Sequence, residues 1–287
     1  MARARPSSRA VRSPSWALIC AAATPTSRVL SKALCEEEDA EHALATAAEY
    51  AERYLGSREI LLTQLRRAIE AQAAGDVPAP VHDLFSRIEK VPLVISATFG
   101  MELEKRLAER RRTALVAHVV RSYQAEHDGK MLVVRPGGAP SLAWADELDL
   151  RDAECVIYKP LGSPFLHDGL DPDLGIDTVV VTETDHAAFL ARLENKRSGL
   201  PTAFSRPLQR RPIVFLGYSL DVWQYRLVLQ VFESAGTRGR QASTFAVRQP
   251  ASAMEELAWK RLGANLIPMD ASEFATRALA DAPAPGP

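Results

Sequence analysis

The chain has 287 residues, a formal net charge of −1 and 47% hydrophobic residues. That is enough apolar material for one large α/β domain with appendages, or for two small domains. The balance, with a sequence pI near 6.6, excludes the basic footprint of a nucleic-acid-binding domain.

Residues 1–30 show no regular period and contain Pro6, Pro14 and Pro25. Arginine, serine and proline without an acidic residue up to position 28 superficially suit a transit peptide. The reading adopted is a disordered tail or a mis-called start. The apolar stretch 16–23 is short of the ~20 residues that a membrane span needs, so a cytoplasmic protein with no membrane partner is expected. Cys20, Cys35 and Cys155 form no CxxC pair and no zinc-type spacing, so neither a disulfide framework nor a metal centre is expected.

Residues 31–90 read as a helical segment. Ala40, Leu44, Ala47 and Ala51 recur at helical spacing, Gly56 marks a break, and Ile60, Leu61, Leu65, Ala68 and Ile69 resume the pattern. A third short helix over 81–88 follows Pro78 and Pro80. These helices carry no catalytic signal and are expected to cover a sheet.

From 91 to 280 short apolar runs alternate with amphipathic segments. Candidate strands are 93–97, 114–120, 131–135, 155–159, 178–182, 213–217, 244–247 and 265–268. Candidate helices are 101–112, 185–195, 201–209, 221–234, 252–262 and 272–279. Continuous β-branched runs punctuated by helices predict an α/β fold with a Rossmann-like, doubly wound, mainly parallel sheet behind the helical N-terminal segment. In the helix after Ser219, Val222, Tyr225, Leu229 and Phe232 line one face that should lie on the sheet. Residues 281–287 are rich in proline and alanine and are expected to be disordered.

The most informative stretch is Pro212-Ile213-Val214-Phe215-Leu216-Gly217-Tyr218-Ser219-Leu220-Asp221. A strand runs into Gly and Ser and a helix begins at once. In a parallel sheet that junction is the carboxyl edge, where ligands bind. Gly217 lets a ligand approach the backbone, and Ser219 or Asp221 can cap the helix and leave amides for a phosphate or ribose. The same pattern also serves as ordinary turn chemistry.

Four blocks in order sharpen this. The run GYSLDVWQYR, Gly217 to Arg226, resembles a block of the bacterial sirtuin-like NAD domains, modules common in phage-defence NADases. Val181-Thr182-Glu183-Thr184-Asp185-His186 is similar to that family's strand-ending T-E-x-D-Y block. Ile157-Tyr158-Lys159-Pro160-Leu161-Gly162-Ser163 resembles its K-L-H-G-S block, and ISATFGMELE within 94–104 resembles its I-T-T-N-Y-D block. The resemblance covers about residues 90–280. It implies an NAD or ADP-ribose pocket touching Gly162, Ser163, Gly217, Tyr218, Ser219 and Asp221.

The departures carry equal weight. The resemblance implies a histidine before Gly-Ser as the base that activates a ribose hydroxyl of NAD, and Leu161 stands there. Leucine has no proton-accepting atom. Thr98 takes the place of the asparagine that positions water or ribose. The family also begins with a strand and a glycine-rich phosphate loop followed by Pro-Ser-Trp. Pro14-Ser15-Trp16 is present, yet the first glycine is Gly56. His167 is the one candidate to replace the missing base from a nearby loop. His186 reads as a half-buried ring, and Trp223 and Arg226 as a staple to an adjacent helix.

The expected function is therefore a degenerate sirtuin-like domain, without catalytic residues, binding NAD or ADP-ribose as a sensor or regulatory subunit. Two alternatives stay open: an active NAD glycohydrolase with a mis-called N-terminus, and a non-binding structural partner kept for oligomerisation. A homo-oligomer or a partner protein is compatible with all three.

Overall fold

A computed structural model describes residues 17–20, 44–73, 80–88, 93–109, 116–121, 127, 129–135, 138–145, 147–148, 155–167, 176–193, 202–220, 223, 225–226, 229, 243–249 and 252–281. Residues 282–287 of the expected disordered tail, Asp221 and most of the helix expected over 221–234 lie outside them.

Among the described residues, nine strands form one sheet: β1 (Ala17–Cys20), β2 (Leu93–Ser96), β3 (Val116–Arg121), β4 (Lys130–Val134), β5 (Ser141–Trp144), β6 (Cys155–Lys159), β7 (Ile213–Leu216), β8 (Thr244–Val247) and β9 (Ala264–Ile267). Their order is β5-β4-β3-β6-β2-β1-β7-β8-β9. The β3–β4 and β4–β5 pairs are antiparallel, and every other pair is parallel. The described helices are α1 (Leu44–Leu55), α2 (Arg58–Ala73), α3 (Pro80–Arg87), α4 (Glu102–Glu109), α5 (Glu183–Leu193), α6 (Thr202–Arg210), α7 (Ala253–Arg261) and α8 (Ala271–Asp281). None is long and apolar enough to cross a membrane.

The continuous apolar strands follow from burial on both faces. Leu93 and Ile95 of β2 and Val156 and Tyr158 of β6 point into one core layer, with Leu61 and Leu65 of α2, Phe204 and Leu208 of α6 and Trp259 of α7. Their neighbours Val94 and Ile157 point into the other, with Val81 and Phe85 of α3, Leu103 and Leu107 of α4 and Ala275 of α8. Trp259 is fully buried, its ring 5.1 Å from that of Phe215, and burying a side chain of this size contributes about 2–3 kcal/mol.

Three expectations are corrected. Residues 1–30 were read without a strand, but β1 pairs with β2 on one side and β7 on the other and is central to the sheet. Its four residues are too few to show a period. In sequence, Pro14-Ser15-Trp16 stands just before the central strand, and the segment that follows β1 is Ala21-Ala22-Ala23-Thr24-Pro25-Thr26-Ser27. The second correction is 178–182, which is not a strand. Its residues are buried, yet its backbone is satisfied mostly by side chains. Asp177 Oδ1 accepts from Val179 N, Asp185 Oδ2 accepts from Val181 N and Thr182 N, and Arg58 Nη2 donates to Val179 O. One backbone bond, Val180 N to Leu161 O at 3.0 Å, ties it to the end of β6. An apolar run shows burial, and only ladder partners make it a strand. The third is β5, missed because its half-exposed Ser-Leu-Ala-Trp run has no strong alternation; it pairs with β4 at the sheet's edge.

Candidate functional site at the carboxyl edge

Strand register places the candidate residues on one edge. Cys20, Ser96 and Leu216 are level across β1, β2 and β7, and Val247 of β8 is level with Leu216. Ile95 is level with Tyr158, so Lys159 follows at the same height as Ser96. Immediately beyond these strand ends come Pro160, Ala97, Gly217 and Arg248. The expectation that strands ending near Ala97, Lys159 and Gly217 share a sheet and an edge therefore holds, and the run ending at Thr182 is the exception. The chain turns left from β1 to β2 and right from β7 to β8, so adjacent connections diverge at the β1–β7 boundary.

The β6 end is packed into the protein. Leu161 is 3% exposed and belongs to the core. Gly162 has φ +71, and a Cβ there would lie 1.8 Å from Thr178 O. This glycine is required by the 176–182 segment crossing it, not by space left for a ligand. Ser163 is fully buried, donates through Oγ to Phe99 O at 2.6 Å and accepts weakly from Phe165 N at 3.4 Å. Lys159 is 1% exposed. Its Nζ donates to Thr98 O at 3.0 Å and Gly100 O at 2.5 Å, and lies 3.6 Å from Glu104 Oε1. The ammonium is thereby satisfied in the interior and pins the loop after β2. Thr98 in that loop is part-exposed, and its hydroxyl shares a 2.9 Å hydrogen bond with Ser96.

At the β7 end the backbone turns on Gly217, whose φ is +65, and its N–H still donates to Val247 O at 3.1 Å. Tyr218 points inward. It is fully buried against Phe215 and Trp259, its hydroxyl donates to Tyr225 O at 2.5 Å, and burial pushes its phenol well above the usual value. Ser219 is 7% exposed, and its Oγ accepts from Arg248 Nη2 at 3.2 Å. Leu220 N donates to Glu255 Oε1 at 2.9 Å, and the same oxygen lies 3.4 Å from Arg248 Nε. Arg226 Nη1 donates to Leu220 O at 2.5 Å, so it braces the turn before its own helix. Trp223 does reach a neighbour, its ring 4.9 Å from that of His186 on α5. The structure thus gathers Gly217, Tyr218 and Ser219 in one turn, with Gly162 and Ser163 on the same edge across β2 and β1.

Arg248 and Glu255 were missed by sequence reasoning. Each carried a signal. Arg248 directly follows a parallel strand at its carboxyl end. Ser252 and Glu255 form an S-x-x-E capping pattern, and Ser252 Oγ does accept from Glu255 N at 3.1 Å. The Glu255 carboxylate, however, reaches across to the β7 turn. His186 is buried with Nδ1 2.7 Å from Thr182 O, and desolvation holds its pKa below the usual 6.5. His167 ends a short 3₁₀ turn, Pro164–His167, just after Ser163.

A separate cavity of about 360 Å³ lies between the α1–α2 turn and the start of α5. Arg58 on its wall pairs with the lining residues Asp185 at 3.0 Å and Glu52 at 3.2 Å and with Asp177 beyond them at 2.8 Å, while Glu49 accepts from the N–H and hydroxyl of Thr184. These contacts tie the helical cover to the 177–185 segment.

A mainly parallel sheet, covered on both faces and presenting Gly217 and Ser219 at its carboxyl edge, defines an α/β protein. The SIR2-like domain family matches residues 114–267, just over half of the chain, and the chain belongs to that family. The matched span holds Gly162, Ser163 and the whole Gly217–Asp221 stretch; β1, β2 and Thr98 precede it. No curated protein matches the chain.

Proposed function

We propose that this protein binds NAD or ADP-ribose at the carboxyl edge, around the β1–β7 boundary, and acts as a sensor or regulatory subunit without cleaving NAD, in a bacterial defence setting. Taken without β3, β4 and β5, the strand order β6-β2-β1-β7-β8-β9 supports a Rossmann-like reading in which it stands for 3-2-1-4-5-6. Dinucleotides lie across the reversal point of such a sheet, here β1 against β7. Gly217, directly beyond β7, has no side chain to obstruct a phosphate or ribose.

The observation that carries the non-catalytic half of the reading is Leu161. The residue at the family's base position is an aliphatic side chain buried in the core, and loss of a positioned base removes about 10²–10⁴-fold in rate. Isothermal titration with NAD and ADP-ribose, paired with quantification of released nicotinamide, tests both halves. Binding without turnover is expected, and robust turnover by the unmodified chain overturns the reading. A second reading, a structural partner that binds no nucleotide, is favoured by Ser163 and Tyr218, whose polar atoms are taken up by Phe99 O and Tyr225 O. Absence of binding to either ligand would select it.

A further inference from the structure

The nucleotide reading leaves the β2 end of the edge without a ligand contact, and one carboxylate there is uncommitted. Glu102 opens α4, and its side chain folds back over Gly100 in the loop after β2. A Cβ on Gly100 would lie 2.0 Å from Glu102 Oε2 and 2.7 Å from Oε1. In ISATFGMELE, Gly100 stands opposite the aspartate of the family's I-T-T-N-Y-D block, so the carboxylate of Glu102 takes the place of the side chain that residue 100 lacks. The basic groups of this corner are held by others. Lys159 Nζ stands on Thr98 O and Gly100 O and lies 3.6 Å from Glu104 Oε1, and Arg106 pairs with Asp83 at 3.5 Å and Glu109 at 2.9 Å. Burial holds the His82 imidazole below its usual pKa, against the opposing charge of Glu102; the ring is neutral at pH 7 and does not offset that charge. Among the described residues no donor holds the Glu102 carboxylate, and its side chain is half-buried.

Resting on the nucleotide-binding reading above, we propose that Glu102 accepts a hydrogen bond from the 2′-hydroxyl of the adenosine ribose of bound NAD or ADP-ribose. In a Rossmann sheet the carboxylate that meets this hydroxyl stands after the second strand of the first βαβ unit, beside the strand that leads to the phosphate turn. In the Rossmann-like reading of the strand order that place falls to β2, which pairs with β1, and Glu102 is the first acidic residue after β2. The other candidate acid, Asp221, follows β7 in sequence, and β1 separates β7 from β2. A carboxylate suits the role because it only accepts, and a charged acceptor makes the stronger bond. Two strand spacings, about 10 Å, separate the β2 and β7 ends, so a nucleotide whose ribose meets Glu102 can extend its phosphates towards the Gly217 turn.

The test is isothermal titration of the full chain with NAD and with the NAD analogue that lacks the adenosine 2′-hydroxyl. NAD should bind about tenfold more tightly, the order expected of one hydrogen bond to a charged acceptor. Glu102→Ala should bring the ratio towards one, and Glu102→Gln, which keeps an acceptor without the charge, should leave it in between. Gly100→Ala puts a methyl group where the carboxylate lies. Its φ is outside the left-handed region and the atoms in the way are the far end of a flexible side chain, so the fold should survive a thermal melt while the ratio falls. This variant decides the matter should a Glu102 variant fail to fold. Equal binding of the two nucleotides by the unmodified chain overturns the inference and leaves nucleotide binding standing. A ratio unchanged in folded Glu102→Ala, or in Gly100→Ala where that variant decides, overturns Glu102 as the acceptor. If neither NAD nor ADP-ribose binds, this inference and the reading beneath it fall together.

Discussion

Replacing Leu161 by histidine restores the residue type of the family's base, but the structure places that side chain where it gains no such role. The side chain at 161 is 3% exposed, in the same core layer as Tyr158, Val180 and Phe204. Its backbone is held there, since Leu161 O accepts from Val180 N at 3.0 Å and Gly162 is pressed against Thr178. Exchanging a buried leucine for imidazole loses about 1–2 kcal/mol of apolar transfer. A ring nitrogen without a partner costs about 1–3 kcal/mol more. A net loss of about 3 kcal/mol is a substantial part of the 5–15 kcal/mol typical of a native protein, and lowers the melting temperature by about 6–12 °C. The ring would also face the core and not the edge, so no base is gained. The assay is a thermal melt of Leu161→His beside nicotinamide release from NAD. A variant as stable as the parent that releases nicotinamide would refute the placement of this side chain and with it the non-catalytic reading.

Gly217→Val should weaken NAD or ADP-ribose binding measured by calorimetry, because the side chain enters the turn beyond β7; φ +65 adds about 1–3 kcal/mol of strain. Unchanged affinity in a folded variant would move the pocket elsewhere, and loss of the fold would make the glycine structural. Gly162→Ala should destabilise by at least about 3 kcal/mol in chemical denaturation, since its Cβ meets backbone at Thr178 and not a side chain that can yield. A loss below about 1 kcal/mol would contradict that crossing. Burial lowers the pKa of His186 and of His82 below 6.5. The unfolded chain therefore takes up these protons first, so their contribution is complete above pH 6.5 and is lost as pH falls from there towards the folded-state values. Melting temperatures measured from pH 7.5 down to pH 5 should fall, and the fall should shrink when His186 is replaced by phenylalanine.

Much of the sheet was legible because its signal is local. Apolar runs such as Leu93–Ser96, Cys155–Lys159 and Ile213–Leu216 are short, β-branched and bounded by turn residues or helices, and each is a strand. Helical spacing likewise marked α2 and α7 to within a few residues of their observed ends. The Gly217–Ser219 turn could be singled out from sequence because a strand, a glycine and a cap in succession are contiguous. Family membership was legible for a similar reason, since each motif block is a short continuous run.

What the tertiary structure alone decided depends on partners distant in the chain. The run 178–182 has strand composition, but Arg58, Asp177 and Asp185 satisfy its backbone in place of a neighbouring strand. Ala17–Cys20 looks unremarkable by itself and is central because β2 and β7 flank it. At the site, sequence could assign Gly162 and Ser163 to a ligand. Only packing revealed that Thr178 requires the glycine and that Phe99 takes the serine hydroxyl. Arg248 and Glu255 escaped notice for the converse reason: the positions 219, 220, 248 and 255 are separated in sequence, and it is the sheet's register that brings their atoms within hydrogen-bonding reach. Composition and periodicity report what one residue requires of its surroundings, whereas the side chain that meets the requirement is set by the fold.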